Sequence, residues 1–204
     1  QYSRVACEVC AHKNGIVVMG EVTSKANVDL EEIVRKTILD VGYSSDNLEF
    51  NGNKVNIDIF MNTQSSDIAM GVDNSLDENN IGAGDQGIMF GFACNETDNL
   101  MPSAIDTAHK LAKRLTKVRK DGIIPYLKSD GKVQVTVEYL NDIPFRIDTI
   151  LISTQHTEDV DIDTLENDII EYVIKPTIED DMVDVETKIL INPTGKFVIG
   201  GPEG

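Results

Sequence analysis

Residues 132–175 read KVQVTVEYLNDIPFRIDTILISTQHTEDVDIDTLENDIIEYVIK, and this stretch determines the fold that the sequence predicts. Apolar and polar side chains first alternate, which predicts strands at Lys132–Leu140 and Phe145–Thr154. The apolar spacing then changes to that of a helix, predicted at Asp163–Lys175. A further strand is predicted at Thr187–Asn192, so the order of elements is strand, strand, helix, strand.

The same order of elements is predicted nearer the N-terminus. Strands are expected at Arg4–Val9 and Ile16–Thr23, a helix at Asp29–Val41 and a strand at Lys54–Met61. The sequence therefore predicts an α+β protein built from repeated ββαβ units. Each unit leaves one apolar sheet face exposed, so two or more units are expected to pack those faces together.

The segment between the two units has a different character. Residues 64–84 are rich in Ser, Asp, Asn and Gly, which predicts a long loop, and loops of this length are usually functional or disordered. A helix is predicted at Ser103–Lys120, with a basic outer face. That face favours a solvated surface balancing an acidic neighbour over a nucleic-acid interface.

The charge of the chain limits its partners. A net charge of −17 repels nucleic acid and anionic membranes, and the sequence has no apolar run long enough to span a bilayer. Neither nucleic acid nor a membrane is therefore an expected partner. A phosphate ligand would depend on local lysines and bound Mg²⁺ rather than on the overall field.

The three cysteines offer little chemistry. Cys7 and Cys10 have a C-x-x-C spacing, and Cys94 stands alone. Residues three apart on a strand point to opposite faces, so this pair is not expected to chelate one ion. We interpret all three as buried, reduced thiols of a cytoplasmic protein.

The most unusual stretch is IGAGDQGIMFGFACNETDNLMP, residues 81–102. Its glycines allow tight turns and close approach of a ligand, with Asp85 and Gln86 between them. The pattern is neither a Walker A motif nor a dinucleotide fingerprint. Taken alone, it indicates only a polar turn suited to touching a ligand.

This stretch closely resembles the signature hexapeptide region of methionine adenosyltransferases, also called S-adenosylmethionine synthetases. Other blocks agree in the same order: RVACEV, GEVTS, QSSDIAMGVD, KVQVTVEY, ISTQH and INPTGKFVIGGPEG. The resemblance covers essentially the whole sequence. It implies an α+β fold of related repeats with pseudo-threefold symmetry, of which about two are present here.

The resemblance also implies a reaction. Family members join the sulfur of methionine to C5′ of ATP, release the triphosphate and then cleave it, with Mg²⁺ and K⁺ as cofactors. Both substrates must be held rigidly so that the sulfur lies in line with the leaving oxygen. The departing triphosphate gathers negative charge, which Lys, Arg and metal ions stabilise.

Matching positions imply the site residues on the methionine side. Glu21 of GEVTS, Gln64 of QSSDI and Asp85 of GDQG match contacts to methionine, whose ammonium group suits a carboxylate. Glu8 of ACEV matches the glutamate of the potassium site, and hard cations prefer oxygen ligands.

Other matching positions imply the nucleotide side of the site. Asp130, in a turn before the predicted strand, Gly131 and Lys132 resemble the ATP-binding segment, with Lys132 as the catalytic cation on the phosphates. Lys196 and Phe197 match a second nucleotide contact. Many relatives have Arg in place of Lys196, and Lys gives a point contact where Arg can bind with two donors. Taken alone, Glu21, Asp130 and Lys132 would be interpreted as ordinary surface residues.

The resemblance divides the chain into parts. Residues 1–63 match the remainder of an N-terminal domain and residues 64–84 a gate loop and linker. Residues 85–197 match a central domain, and residues 198–204 begin a connection to a further domain. In the gate, Ser66 stands where relatives often have Pro, and Met70 where Gln is common, so its packing is expected to differ.

Some of the family pattern is not in these 204 residues. The GHPDK-type segment, the magnesium ligands and the basic residues after GGPEG have no counterpart, so we expect an internal part of a longer enzyme. The resemblance implies a homodimer or homotetramer with active sites between subunits. Two alternatives stay open: an inactive structural or regulatory module, and a small-ligand domain without chemistry. These residues alone are expected to make negligible S-adenosylmethionine.

Overall fold

The computed structural model describes residues 3–63 and 87–204. The chain divides into two compact units, Gln1–Phe90 with Pro202–Gly204 (unit 1) and Gly91–Gly201 (unit 2). Within the described residues, each unit combines helix with a three-stranded sheet. The α+β class predicted from the sequence is confirmed.

Unit 1 has the predicted order of strand, strand, helix and strand. Strand β1 (Arg4–His12) pairs antiparallel with β2 (Gly15–Thr23), and β2 pairs parallel with β3 (Asn56–Asn62). Helix α1 (Leu30–Val41) lies between β2 and β3 in the chain. A parallel pair requires such a crossover, so the helix follows from the sheet topology.

The core of unit 1 is built on one face of β2. Ile16 and Val18 are buried there and form a cluster with Ile38, Phe50 and Val55. The N-terminus of α1 is capped by the side chain of Asp29, which accepts the Glu32 N–H at 3.0 Å. The apolar spacing of α1 predicts an inner face of Leu30, Ile33, Val34, Ile38 and Val41. Ile33 and Val41 are exposed instead, because this small cluster covers only part of the helix.

Unit 2 repeats this topology with a longer antiparallel pair and a shorter third strand. It begins with helix α2 (Ser103–Lys120), followed by β4 (Leu127–Leu140) and β5 (Ile143–His156), which pair antiparallel. Helix α3 (Ile162–Ile169) then crosses to β6 (Lys188–Ile191), which pairs parallel with β5. The predicted ββαβ repeat is therefore confirmed in both units.

The core of unit 2 is the larger of the two. Its fully buried apolar side chains come from α2, the sheet and α3, and they include Leu111, Val118, Ile150, Ile152, Leu165 and Ile169. Burial of this kind contributes roughly 1.5 to 3 kcal/mol for each large aliphatic side chain. The apolar spacing of α2 predicts an inner face of Ile105, Ala108, Leu111, Ala112, Leu115 and Val118. Burial confirms Leu111, Leu115 and Val118, whereas Ile105 near the N-terminus is exposed.

The helix predicted at Asp163–Lys175 differs from the structure at its C-terminal end. An α-helix was expected to Lys175, but Ile170–Ile174 forms a π-helical turn in which the Lys175 N–H bonds to the Ile170 carbonyl at 3.0 Å. In this wider turn the Tyr172 carbonyl accepts a 2.8 Å hydrogen bond from Arg114 Nε. Apolar periodicity does not report this local change in hydrogen bonding.

Two expectations about β1 and β4 are corrected. Cys7 and Cys10 are exposed, not buried, because β1 is an edge strand that lies outside the unit 1 core, while Cys94 is half-buried. Asp130 lies within β4 and not in a turn, because β4 begins at Leu127, pairs there with His156 and has a register shift before Gly131.

Among the described residues, no helix is both long and apolar enough to cross a membrane.

Candidate functional site

Unit 2 brings together two segments that are far apart in the sequence, the start of β4 and the chain that follows β6. The Nζ atom of Lys132 lies 5.2 Å from the centre of the Phe197 ring. Asp130 Oδ2 accepts a 2.9 Å hydrogen bond from the backbone N–H of Gly201. Three of the residues expected on the nucleotide side, Asp130, Lys132 and Phe197, are therefore neighbours at one end of the sheet.

One buried amide side chain joins these two segments. Gln155, at the end of β5 and 5% exposed, accepts the Asp130 N–H at 3.4 Å through Oε1. Its Nε2 group donates to the Val198 carbonyl at 3.0 Å, and Lys128 Nζ donates to the same carbonyl at 3.2 Å. The sequence analysis did not predict this role of Gln155. The signal in the sequence was a polar amide side chain at the end of the apolar strand β5.

A glycine allows the second segment to approach the first. A Cβ atom added at Gly200 would lie 2.5 Å from Phe197 Cε2 and 2.9 Å from Asp130 Oδ2. Both distances are shorter than real side chains tolerate, so a side chain at residue 200 would displace the Phe197 ring or the Asp130 carboxylate.

The strand pattern places Lys132 on the polar face of the unit 2 sheet. Lys132 is exposed and pairs with Ser153 in the β4–β5 register, whereas its neighbour Val133 packs against the core. Gly131 and Lys196 are also exposed and flank Lys132 and Phe197 along the chain. The site therefore presents two ammonium groups and one aromatic ring to solvent, which suits an anionic ligand with an aromatic part.

Cavities in unit 2 do not coincide with this cluster. A cavity of about 70 Å³ borders Asp130 and Gly131 but is smaller than a typical ligand pocket. A cleft of about 760 Å³ lies between the N-terminal half of α2 and the β4–β5 turn, and its lining includes Glu96, Asp106 and Lys110. The larger cleft shares no lining residue with the Lys132 cluster.

The two unit 1 residues singled out from the sequence share one face of their sheet. Glu21 pairs with Ala6 and Asn62, and Glu8 pairs with Met19, so both side chains lie on the face opposite Ile16 and Val18. Both glutamates are exposed. The remaining two methionine-side residues, Gln64 and Asp85, lie outside the described residues, as do the gate and linker at 64–84.

Metal ligands are sparse in the part of the chain that the structure describes. No group of three or more His, Cys, Asp or Glu residues able to hold a metal ion occurs within residues 3–63 and 87–204. Glu8 offers a single carboxylate, whereas K⁺ and Mg²⁺ require several oxygen ligands. The described residues do not by themselves fit a complete metal site.

Displaced pKa values occur around the larger cleft. The pKa of Glu96 is lowered by the N–H of Ser103, which it accepts at 2.9 Å, and by the hydroxyl of Tyr139 at 2.6 Å. The pKa of Asp106 is lowered by Lys110, whose Nζ lies 2.8 Å from Asp106 Oδ2. These carboxylates hold α2 in place: Glu96 binds its first N–H group and Asp106 lies in its first turn.

Two parts of the chain are similar to known protein families. Residues 1–66 match the family model "S-adenosylmethionine synthetase, N-terminal domain", and residues 80–197 match "S-adenosylmethionine synthetase, central domain". A protein of Clostridium botulinum (strain Alaska E43 / Type E3), named S-adenosylmethionine synthase, is 50% identical over 210 residues, covering 99% of this chain and 54% of that relative. The chain thus spans about half the length of the curated relative it matches. It belongs to the S-adenosylmethionine synthetase family.

Proposed function

We propose that the complete protein carrying these residues is a methionine adenosyltransferase. In this reaction the sulfur of methionine attacks C5′ of ATP, the bond from C5′ to the triphosphate oxygen breaks, and the triphosphate leaves and is hydrolysed. The observation that carries the proposal is the approach of Lys132 to Phe197, beside the bond between Asp130 and Gly201, within a family member.

Lys132 is proposed as the catalytic cation on the phosphates. Its ammonium is exposed and close to the Phe197 ring, so it is available to an anionic ligand that lies beside the ring. Negative charge on the triphosphate grows as the C5′–O bond breaks. A positive charge at this point stabilises the transition state more than the ground state, which accelerates the reaction.

The neighbouring residues are proposed to bind and orient ATP. Phe197 offers an aromatic surface, and Lys196 beside it offers a second ammonium to the nucleotide. Gly131 keeps the backbone next to Lys132 without a bulky side chain. Asp130, already bonded to the Gly201 N–H, fixes the turn that closes this side of the site.

Methionine is proposed to contact Glu21, Gln64 and Asp85. The exposed carboxylate of Glu21 lies on the open face of the unit 1 sheet and suits the substrate ammonium group. Gln64 and Asp85 carry this role by family resemblance only. Holding both substrates together is the main demand of the reaction, because attack at C5′ requires the sulfur to lie in line with the leaving oxygen.

The proposed cofactors are Mg²⁺ and K⁺. Bound cations would neutralise charge on the phosphates, which a chain of net charge −17 does not do by its overall field. Glu8 is proposed as one oxygen ligand of K⁺, and the magnesium ligands are proposed to lie outside these residues.

The proposed partner in assembly is a second copy of the chain, as a homodimer or homotetramer. Support comes from the open face of the unit 1 sheet, where Met19 and Phe60 stand side by side in the register and are 46% and 62% exposed. Neighbouring exposed apolar side chains favour burial against another surface.

We also propose a division of the chain into four parts. Residues 1–63 are the remainder of an N-terminal domain, residues 64–84 a gate and linker, residues 85–197 a central domain and residues 198–204 the start of a connection.

The test of the proposed function is formation of S-adenosylmethionine from ATP and methionine by the complete chain as it is translated. Product is measured by mass spectrometry, and phosphate release is followed in parallel. Intact mass comes first, because a mass near 22.5 kDa would limit the protein to these 204 residues. Absence of product from a folded, complete chain supplied with Mg²⁺ and K⁺ would contradict the proposal.

The second candidate function is an inactive structural or regulatory module that retains part of the pocket. Calorimetry separates the cases. An active enzyme binds ATP and methionine and releases triphosphate products, a ligand-binding domain binds without product, and a structural module binds neither substrate.

A further inference from the structure

We infer that His156 is a positioning residue of the nucleotide site, acting through the peptide group of Phe197. The inference rests on the proposed function, because it concerns the ATP side of that site. The spacing of His12, His109 and His156 predicts no metal site, so the sequence alone favours a structural or exposed role for His156. The structure buries it completely, with 0% of its surface exposed, directly behind the Phe197 backbone.

Two hydrogen bonds join His156 and Phe197. The backbone N–H of His156 donates to the Phe197 carbonyl at 2.9 Å. The backbone N–H of Phe197 in turn lies 3.1 Å from the ring atom Nε2 of His156. Both polar groups of Phe197 are thus bound by one residue, and the imidazole replaces the second backbone acceptor of an ordinary strand pair.

The bond to Phe197 determines the tautomer of the ring. Because a peptide N–H can only donate, Nε2 must accept and therefore carries no hydrogen. The proton of the neutral ring lies on Nδ1, which is 2.7 Å from the Thr157 carbonyl and donates to it. Both ring nitrogens are satisfied in this neutral form, as a fully buried polar side chain requires. A ring with hydrogen on Nε2 would lose the bond to Phe197.

The bonds from His156 matter because the segment around Phe197 does not form a regular strand. β6 ends at Ile191, so the segment that carries Lys196 and Phe197 is not part of the sheet ladder. Its place is set by side chains, with Gln155 bound to the Val198 carbonyl and His156 to Phe197. A shift of the Phe197 backbone would move the ring away from Lys132 and from Gly200 at once.

The two roles of His156 and Lys132 differ. Lys132 is proposed to touch the phosphates, whereas His156 is buried behind the backbone and acts only through Phe197. A change at His156 is therefore expected to alter binding of ATP and to leave binding of methionine nearly unchanged.

The first experiment compares His156→Leu and His156→Gln in the complete chain. Leu removes the ring acceptor, while the longer Gln side chain can place a carbonyl oxygen near the position of Nε2. Loss of one buried hydrogen bond corresponds to roughly a tenfold effect, so H156L is expected to raise KM for ATP about tenfold and KM for methionine less than twofold. H156Q is expected to recover most of the affinity for ATP.

Thr187→Val is the matched control. The Thr187 hydroxyl donates to the Ile147 carbonyl at 2.7 Å, at the end of the sheet away from His156. The substitution removes this half-buried hydrogen bond and the 3.1 Å bond that the hydroxyl accepts from the Asp184 N–H, so it lowers stability without acting on Phe197. Equal KM values for ATP in H156L and T187V would overturn the inference.

A second measurement does not depend on the variants folding. Nitrogen NMR of the ¹⁵N-histidine-labelled wild-type chain reports which ring atom carries hydrogen. A buried ring with hydrogen on Nδ1 and a coupling from the Phe197 N–H to Nε2 is expected; hydrogen on Nε2 would overturn the inference. A wild-type chain that shows this bond but does not bind ATP would contradict the proposed function instead, so the two failures are distinguishable.

Discussion

The ammonium group of Lys132 lies 5.2 Å from the centre of the Phe197 ring, although β4 and the segment after β6 are separated by two further strands and a helix. A cation over an aromatic face is attracted by the ring quadrupole, at roughly 0.5 to 1 kcal/mol in an exposed site. Such contact orients the ammonium without using its N–H donors. Those donors remain available to oxygen atoms of a ligand.

Replacing Lys132 by Met tests the proposed catalytic cation. Met keeps the length and apolar stem but removes the charge, so kcat/KM for S-adenosylmethionine formation by the complete chain is expected to fall by at least about a hundredfold. Lys188→Met is the matched control, because Lys188 lies on the same face of the same sheet, opposite Thr149. Equal kcat/KM for K132M and K188M in steady-state assays would contradict the proposed catalytic role of Lys132.

Adding a methyl group at Gly200 tests the packing of the nucleotide site. The new Cβ would collide with the Phe197 ring and Asp130, and overpacking of this kind costs about 1 to 3 kcal/mol. Gly200→Ala is expected to lower stability and raise KM for ATP several-fold, measured by urea unfolding and kinetics.

Gly122→Ala provides the comparison for Gly200. Gly122 has φ +69° and open space around it, so alanine there introduces backbone strain of roughly 1 kcal/mol without touching the site. It is expected to lower stability and leave KM for ATP unchanged. If G122A and G200A changed KM for ATP equally, general destabilisation would explain both.

The sequence predicted the repeat because each element has its own periodic signal. Helix α2 was predicted with the bounds that the structure gives, since its apolar stripe and closing Asp121–Gly122 are local features. The crossover in each unit was also predictable, because a helix between two strands of one sheet produces a parallel pair. Strand ends were less accurate, and β4 begins five residues before the predicted Lys132.

The site was predictable only in part. Resemblance named Asp130, Lys132 and Phe197, and the structure places them together. The roles of Gln155 and the GGPEG turn were not predicted, because both depend on contacts between segments distant in the sequence. Burial of Cys7 and Cys10 was predicted wrongly, since alternation does not distinguish an edge strand from a central one.

Acid is expected to weaken unit 2 through Glu96. Its folded pKa lies below the ordinary 4.5 because the Ser103 N–H and then the Tyr139 hydroxyl favour the carboxylate. A lowered pKa contributes stability above the ordinary value, and this contribution is lost as the pH falls through the folded value. The stability difference between wild type and Glu96→Gln is therefore expected to be constant above pH 5 and to shrink below about pH 4.5, followed by circular dichroism in urea.

High pH is expected to weaken unit 2 through Tyr139, whose hydroxyl donates to Glu96. Glu96 and then burial raise the pKa of Tyr139 to about 12 from 10.0, so its contribution is complete below pH 10 and is lost as the pH rises towards 12. Tyr139→Phe should show a smaller loss of stability over this range than wild type. Asp98→Asn, which removes an exposed carboxylate from the same loop, should retain both the acid and the alkaline dependence of the wild type.

Asn192 is expected to be required for its amide and not only for its backbone conformation. Asn192 has φ 42°, a left-handed value that Asn and Gly tolerate. Its side chain also accepts the Thr154 N–H at 2.8 Å and donates to the Thr154 carbonyl at 2.9 Å, which extends the pairing of β5 beyond the end of β6. Both bonds are buried, so their loss leaves two unpaired backbone groups.

Asn192→Gly separates the two requirements. Glycine accepts the same φ but removes both hydrogen bonds, so a loss of about 2 to 4 kcal/mol in the free energy of unfolding is expected. Asn192→Ala should lose about 1 kcal/mol more, because alanine adds left-handed strain. Urea unfolding measures both variants. A stable N192G with an unstable N192A would mean that the backbone conformation alone selects Asn at this position, and that the side-chain bonds to Thr154 contribute little.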